Sequence, residues 1–584
     1  MYGTGNPVAL LKDYGHIRNV YGTLLADLSI RQDLSALTKG LAAEASVSFD
    51  NIGGMNETTN KEYRYMNSNA SITSDGTLVT TPAIYGTDSE TLGHTQPFER
   101  LMLRSDFQAK VDYNRTFGKH QVGGALIYDM QSVVKNGRNN SQKNQSVLVN
   151  ATYTYDNRYS LNAVFNRSGS AYLPDGDKYS NYPAVSAAWI VSNEAFMEKV
   201  TPINLFKIRA SYGLSGWDGN LSHELWRQSY GSGGAGYNFG VNAGGQSGGS
   251  EGDLPVIGLV AEKSQKATFG FDLAAFDNRL NATVEGFYEK RSDILVSGAN
   301  STSGIIGITV GQVNEGIYKY KGVDASLSWN DKIGDFHYGI GASMSYLNTE
   351  ELNLNQAYNQ YDYLNTKRNP IGQMYGLEAI GFFNSQQEIN NSPQQTFSDV
   401  APGDVKYKDQ NGDNRIDEKD IVKMFGSSVP RFYFGFNLNF SYKRLELSAD
   451  FQGMTGVTVS LLNSPLYSPL VSNGNISNTF LNEEISWTPE NKTNATMPRL
   501  TTQENLNNYR ASSLWYRDGS FLKLRNLLVA YTFPKSQTRF ADLKVFVQGT
   551  NLFSLDNIHF ADPEQLGIAY PSTRSYWAGI KLNF

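Results

Sequence analysis

The chain contains no cysteine among its 584 residues. Disulfide frameworks and thiolate-held zinc or iron–sulfur centres are therefore excluded. Charge is scarce too, at 18% of residues, against roughly 25% in soluble domains. The formal net charge of -6 argues against nucleic acid as a partner, because phosphate neutralisation needs clustered Lys and Arg. No stretch approaches the roughly 18–20 consecutive apolar residues of a transmembrane helix. The opening residues, MYGTGNPVALLKDYGHIRNV, lack a basic segment followed by an apolar one, so they do not read as a signal peptide. Helical periodicity is nearly absent.

What fills the gap is Gly (55), Tyr (35) and Phe (30), with many Asn and Ser. Aromatic side chains suit a pleated surface, and Gly and Asn suit turns. Alternation with period two recurs from end to end. In RFYFGFNLNFSY, Phe432, Phe434, Phe436, Leu438, Phe440 and Tyr442 share one face, opposite Tyr433, Gly435, Asn437, Asn439 and Ser441. FHYGIGASMSY, KATFGFDLAAF, VLVNATYTY and the final YWAGIKLNF repeat the split. The pattern predicts about 17 strands, near 20–34, 41–50, 99–117, 119–129, 146–156, 159–169, 180–192, 205–215, 266–276, 279–295, 318–330, 335–349, 431–442, 444–453, 520–533, 543–553 and 575–584. A slip of phase near Arg525 and Asn526 predicts a β-bulge.

The connections alternate short and long. Short ones are expected at Asp156-Asn157-Arg158, Asp277-Asn278-Arg279, Asn330-Asp331-Lys332, Tyr442-Lys443-Arg444 and Pro534–Asp542. Long, Gly-, Asn- and Ser-rich ones cover 170–179, 216–265, 296–317, 350–430, 454–519 and 554–574. A soluble sandwich has no reason to place its long loops at one end. A transmembrane antiparallel β-barrel does, with short turns on the periplasmic side and long loops outside. The length alone would suggest several domains, but one barrel absorbs it, and closure removes the edges that so many strands would expose. An odd strand count points to missing strands at the N-terminal side.

In the C-terminal third the residues become specific. The segments APGDVKYKDQNGDNRIDEKDIVKMFGSSVPRFYFGFNLNFSYKRLELSADFQG (401–453), SLWYRDGSFLKLRNLLVAYTFP (513–534), KVFVQGTNLFSLDN (544–557) and YPSTRSYWAGIKLNF (570–584) resemble the SusC/RagA family of TonB-linked outer-membrane transporters. The resemblance implies an all-β barrel of about 22 strands filled by an N-terminal plug. On this reading residues 1–584 are a partial barrel domain without the plug and first strands, the downstream part of something longer. It also implies a bacterial outer-membrane location, no enzymatic activity, and import of an oligosaccharide or oligopeptide. Its partners would be a SusD-like surface lipoprotein, TonB through the missing N-terminal part, the barrel-assembly machinery, which would read the terminal Phe584, and outer-membrane lipid. A passive pore or surface-binding barrel, and a soluble carbohydrate-binding β protein, are the alternatives.

One local motif carries chemistry of its own. Asp409, Asn411, Asp413, Asp417 and Asp420 stand at positions 1, 3, 5, 9 and 12 of an EF-hand-like loop spanning 409–420, with the Arg415 carbonyl at position 7. The spacing predicts Ca2+ held in an external loop. Position 6 is Asn414 instead of Gly, which Asn tolerates because it can take the left-handed conformation. Position 12 is Asp instead of Glu. A solvated acidic turn is the plainer reading. The six histidines show no metal spacing, and no nucleophile elbow or Walker loop occurs. Trp217, Trp226, Tyr230 and Tyr237, in a long connection, are candidates for stacking on a sugar ring or gripping a peptide. Loop packing or an interfacial girdle is the plainer reading for them.

Overall fold

The computed structural model describes residues 7–73, 77–96, 98–135, 141–238, 245–298, 305, 307–308, 310–464, 485–559, 561–566 and 572–584. The chain divides into two compact units. The first comprises Met1–Tyr153, Ala163–Pro183 and Asp218–Trp226; the second comprises Thr154–Asn162, Ala184–Trp217 and Arg227–Phe584.

In the first unit, β1 (Gly15–Asp33), β2 (Leu41–Asn60), β3 (Phe98–Phe117) and β4 (His120–Lys135) form an antiparallel meander. β1 pairs with β2 without a break from Gly15↔Asn60 to Asp33↔Ala42. β5 (Ser141–Tyr155), β6 (Tyr159–Ser170) and β7 (Tyr179–Ile190) are shared between the units.

In the second unit the meander continues from Ala184–Ile190 of β7 through β8 (Ile203–Trp217), β9 (Glu262–Ala275), β10 (Leu280–Ser297), β11 (Gln312–Ile333) and β12 (Phe336–Asn353). It then passes through β13 (Phe432–Tyr442), β14 (Leu445–Thr455), β15 (Phe521–Phe533), β16 (Asp542–Asp556) and β17 (Ser575–Asn583). Every strand expected from the alternation is present, several of them longer than expected.

The register explains why this sequence alternates. Met344 faces Phe434, Ala342 faces Phe436 and Ile340 faces Leu438; Phe436 in turn faces Phe451, their rings stacked at 4.4 Å. One face of the ladder is thus continuously apolar, and it stays open: Phe269 is 64% exposed and Ile580 70%. Glycine is required where the rings lean across. A Cβ on Gly453 would lie 2.5 Å from Phe434 Cζ and 2.6 Å from the Phe521 carbonyl oxygen.

The opposite face is polar. Lys207 pairs with Asp272 at 3.2 Å, Thr283 donates to the same carboxylate at 3.2 Å, and Arg209 bridges Asp272 and Glu285.

The bulge lies where the phase slipped. Asp450 faces Asn526 and Phe451 faces Leu524, which leaves Arg525 as the extra residue. Short turns follow the expected chemistry at Asp156 and Asn157, both left-handed at φ +51° and +52°. One expectation needs correcting. Asn330-Asp331-Lys332 is not a turn: β11 runs on to Ile333, which pairs with Phe336, and the chain reverses at Gly334 (φ +60°) and Asp335. Polar residues at the strand end mimicked a turn, and the glycine supplies the left-handed conformation that a two-residue reversal needs.

Candidate functional site

The long connections of the second unit are not loose. Between β12 and β13, Gln373–Gly376 pairs with Val422–Ser427, Ala379–Phe382 with Val405–Tyr407, and Gln394–Gln395 with Arg415–Ile416. Between β14 and β15, Thr458–Ser460 pairs with Tyr516–Asp518. Leu377, Val405, Tyr407 and Ile416 form one small core; Leu461, Met497 and Trp515 form another. Leu514 packs against both cores. Burial pushes the Tyr407 hydroxyl pKa up, and its proton goes to the Asn507 carbonyl at 2.8 Å.

The hub that joins these connections is Asp404, which has no exposed surface. Its carboxylate accepts from Arg499 Nε at 2.7 Å and Nη2 at 3.1 Å. It also accepts from Asn505 at 3.0 Å, Asn508 at 2.9 Å and the Ala401 N–H at 2.7 Å. A buried carboxylate is tolerable only when paired and saturated with donors, as this one is. Asn508 Oδ1 meanwhile accepts from the Val405 N–H, and Gln395 donates to the Val405 carbonyl and to Asn507 Oδ1. Sequence reasoning missed this network. Its only outward sign in the sequence is the close set Asn505, Asn507 and Asn508, which composition does not distinguish from an open loop.

The acidic loop at 409–420 hangs from the same body. Arg510 pairs with Glu418 at 2.7 Å, and the Tyr363 hydroxyl donates to the Lys419 carbonyl at 2.6 Å. Ile416 is fully buried, and Asn414 is left-handed at φ +61°. The carboxylates are engaged by backbone. Asp409 accepts from the N–H groups of Gly412 and Asn414, Asn411 Oδ1 from that of Asp413, and Asp413 from that of Arg415. Asp420 is buried and accepts from the Gln410 and Asp417 N–H groups, both at 2.8 Å; Asp417 caps the short turn at Glu418–Asp420. Among the described residues, no three His, Asp or Glu side chains converge as a metal-ligand group.

Trp217 ends β8 and is 54% exposed; Tyr230 opens a hairpin (Tyr230–Asn238 with Gly245–Glu251) and is 76% exposed. Trp226 belongs to the first unit and is half-buried. The Tyr237 side chain lies outside the described residues. Trp487 and Trp515, also in long connections, are buried packing residues. Phe584 stands one residue beyond β17 and is 89% exposed.

A further tether holds the last long connection. Lys523, 3% exposed on the polar face of β15, pairs with Glu564 at 2.6 Å and also with Asp562. The bulge re-aims Arg525 so that it reaches the same Glu564 at 2.6 Å.

No protein-family profile matches the chain. Individual relatives do. TonB-dependent receptor P26 of Formosa agariphila is 28% identical over 465 residues, covering 74% of this chain and 45% of the relative. TonB-dependent receptor SusC of Bacteroides thetaiotaomicron is 22% identical over 467 residues, covering 74% of this chain and 43% of the relative. The chain thus spans about half the length of the curated relatives it matches. Among solved structures, the RagAB peptide transporter superposes with a TM-score of 0.72 at 18% identity, covering 97% of this chain and 62% of that one. The RagAB peptide importer in its open-open state gives 0.74 at 18% identity, over 100% and 63%. The likeness shows the fold, that of a transmembrane antiparallel β-barrel.

Proposed function

We propose that this SusC/RagA-like outer-membrane barrel chain forms the wall and outer connections of a TonB-driven importer for a large nutrient, an oligosaccharide or oligopeptide. A SusD-like lipoprotein would deliver the substrate at the outer mouth. The observation that carries this reading is the outward profile of the strands. On β10 the apolar face reads Leu280, Ala282, Val284, Gly286, Tyr288 and then Lys290; on β12 it reads Tyr338, Ile340, Ala342, Met344, Tyr346 and then Asn348. A run of that length, tilted as in a barrel, covers roughly 20 Å of height, which suits an outer-membrane hydrocarbon band of about 25 Å. The polar residues begin toward the ends that carry the long connections. The names of the sequence relatives favour a TonB-linked role over a passive pore.

Deleting the gene should abolish growth on the oligomer it serves while growth on the corresponding monomer continues. A protonophore should stop oligomer uptake by intact cells. Uptake indifferent to the protonophore would leave the passive pore as the better reading.

The proposal extends to calcium at 409–420. Its support is the order of oxygen donors, Asp409, Asn411, Asp413, the Arg415 carbonyl, Asp417 and Asp420, with the left-handed Asn414 between them. All four side chains accept from backbone N–H groups, but Asp420 is fully buried while Asp409, Asn411 and Asp413 reach solvent, so ion binding would draw first on these three. Chelator should then speed proteolysis within 400–425; identical cleavage with and without it leaves only a hydrogen-bonded acidic turn. Phe584 as a signal to the assembly machinery is the last element: Phe584→Ala should lower outer-membrane abundance without changing uptake per molecule.

A further inference from the structure

On the first unit, the apolar face carries a feature that import does not require. A groove of about 630 Å3 opens there, at the end of the strands away from the short turns. Its floor is made of small residues, Ser105 and Ser132 facing each other across β3 and β4, with Gly169 and Ala171 at the end of β6. Phe107, Met130 and Tyr179 wall it, and Met130 is 47% exposed. Gly169 is required because the Tyr179 ring lies over it: a Cβ there would meet Tyr179 Cε1 at 2.5 Å.

The rim is polar and basic. The Tyr128 hydroxyl donates to Gln145 Oε1 at 3.4 Å, and the Gln145 amide bonds the Tyr179 hydroxyl. The Arg167 guanidinium lies 5.6 Å from the centre of the Tyr179 ring and donates to Asn181 Oδ1 at 3.5 Å. Lys143 lines the groove on the same side. Both cations are exposed, and among the described residues neither has a carboxylate partner. By contrast Lys178, beside them, is paired with Asp175.

Below this rim β5 presents Val147, Val149, Ala151 and Tyr153, and β6 presents Phe165 and Ala163. Two cations without a carboxylate partner among the described residues therefore sit where an apolar wall ends, beside a groove of about 630 Å3. Exposed Lys and Arg at a membrane boundary attract anionic headgroups, and Arg is suited to phosphate.

The geometry points to a lipid-binding site: Lys143 and Arg167 take the phosphate of a phosphorylated outer-leaflet glycolipid while one acyl chain fills the groove over Ser105 and Ser132, between Phe107, Met130 and Tyr179. This rests on the outer-membrane reading. The outer leaflet is favoured over the periplasmic one because the rim lies away from the short turns, toward the ends of the long connections.

The test uses the protein extracted from outer membranes in mild detergent, with bound lipid counted by native mass spectrometry. Heat-modifiable migration of the wild type, read separately, reports barrel insertion; its absence would sink the membrane reading and not the site alone. The wild type should retain phosphorylated glycolipid. Lys143→Gln with Arg167→Gln should lower that retention roughly tenfold or more, while Lys332→Gln, near a short turn, should leave it unchanged. Removing the lipid phosphate enzymatically should match the double variant. Equal retention by wild type and double variant overturns the site. Equal displacement by phosphatidylglycerol overturns the assignment to an outer-leaflet glycolipid.

Discussion

At the scale of single residues, the alternation makes a sharp claim about neighbours in sequence. Phe436 sits on the apolar face, stacked on Phe451, while Asn437 faces Gly341 and Asp450 on the polar one. Phe436→Arg should destabilise the barrel by about 2–4 kcal/mol, with Asn437→Arg much milder. Heat-modifiable gel migration checks this, and equal tolerance of the two would overturn the strand phase. This much was legible because a two-residue period assigns a face to every position once one is known. Loop residues offer no such rule. Trp515 and Trp217 both stood in long connections, yet one is fully buried and the other largely exposed. Nothing within a few residues of either distinguishes them, since the difference comes from contacts such as Trp515 Nε1 donating to the Asn508 carbonyl at 2.8 Å.

Elements were legible where they are regular or break regularity by one residue. The bulge at Arg525 showed as a phase slip because inserting a single residue flips every later side chain. The folded connections were not legible. Between β12 and β13 and between β14 and β15 their strands are two to six residues long, too short to show a period, and their pairings join positions far apart in sequence. Asp404 carries that joining: it ties the β12–β13 connection to Arg499, Asn505 and Asn508 of the β14–β15 connection. Asp404→Asn places an amide among donors and leaves Arg499 without its counter-charge. The cost should be about 3 kcal/mol, the low end for breaking a buried pair because Arg499 keeps some water. Hydrogen exchange should then quicken in 401–408 and in 499–510 together, with β13 and β14 unaffected. Exchange that rises in one segment alone would mean the hub does not couple the two connections.

For the whole molecule, the long and short connections of the second unit emerge alternately, so a membrane reading assigns each kind to one side. The absence of cysteine from these 584 residues makes this directly measurable, since a thiol introduced by substitution is the only one among them. Tyr358, 93% exposed in the β12–β13 connection, and Lys443, in the left-handed turn between β13 and β14, stand at opposite ends of the same ladder. A membrane-impermeant maleimide should label Tyr358→Cys on intact cells. Lys443→Cys should label only after the outer membrane is permeabilised. Phe436→Cys, between them on the apolar face, should resist the polar reagent in both conditions, because a thiol surrounded by hydrocarbon is neither hydrated nor readily ionised. A soluble β protein predicts a different set: Tyr358→Cys and Lys443→Cys react alike once both are in the same compartment, and Phe436→Cys becomes reactive wherever its face meets water. Labelling of Lys443→Cys on intact cells, with Tyr358→Cys protected, would invert the orientation while keeping the barrel. The three thiols together therefore separate fold, membrane insertion and direction.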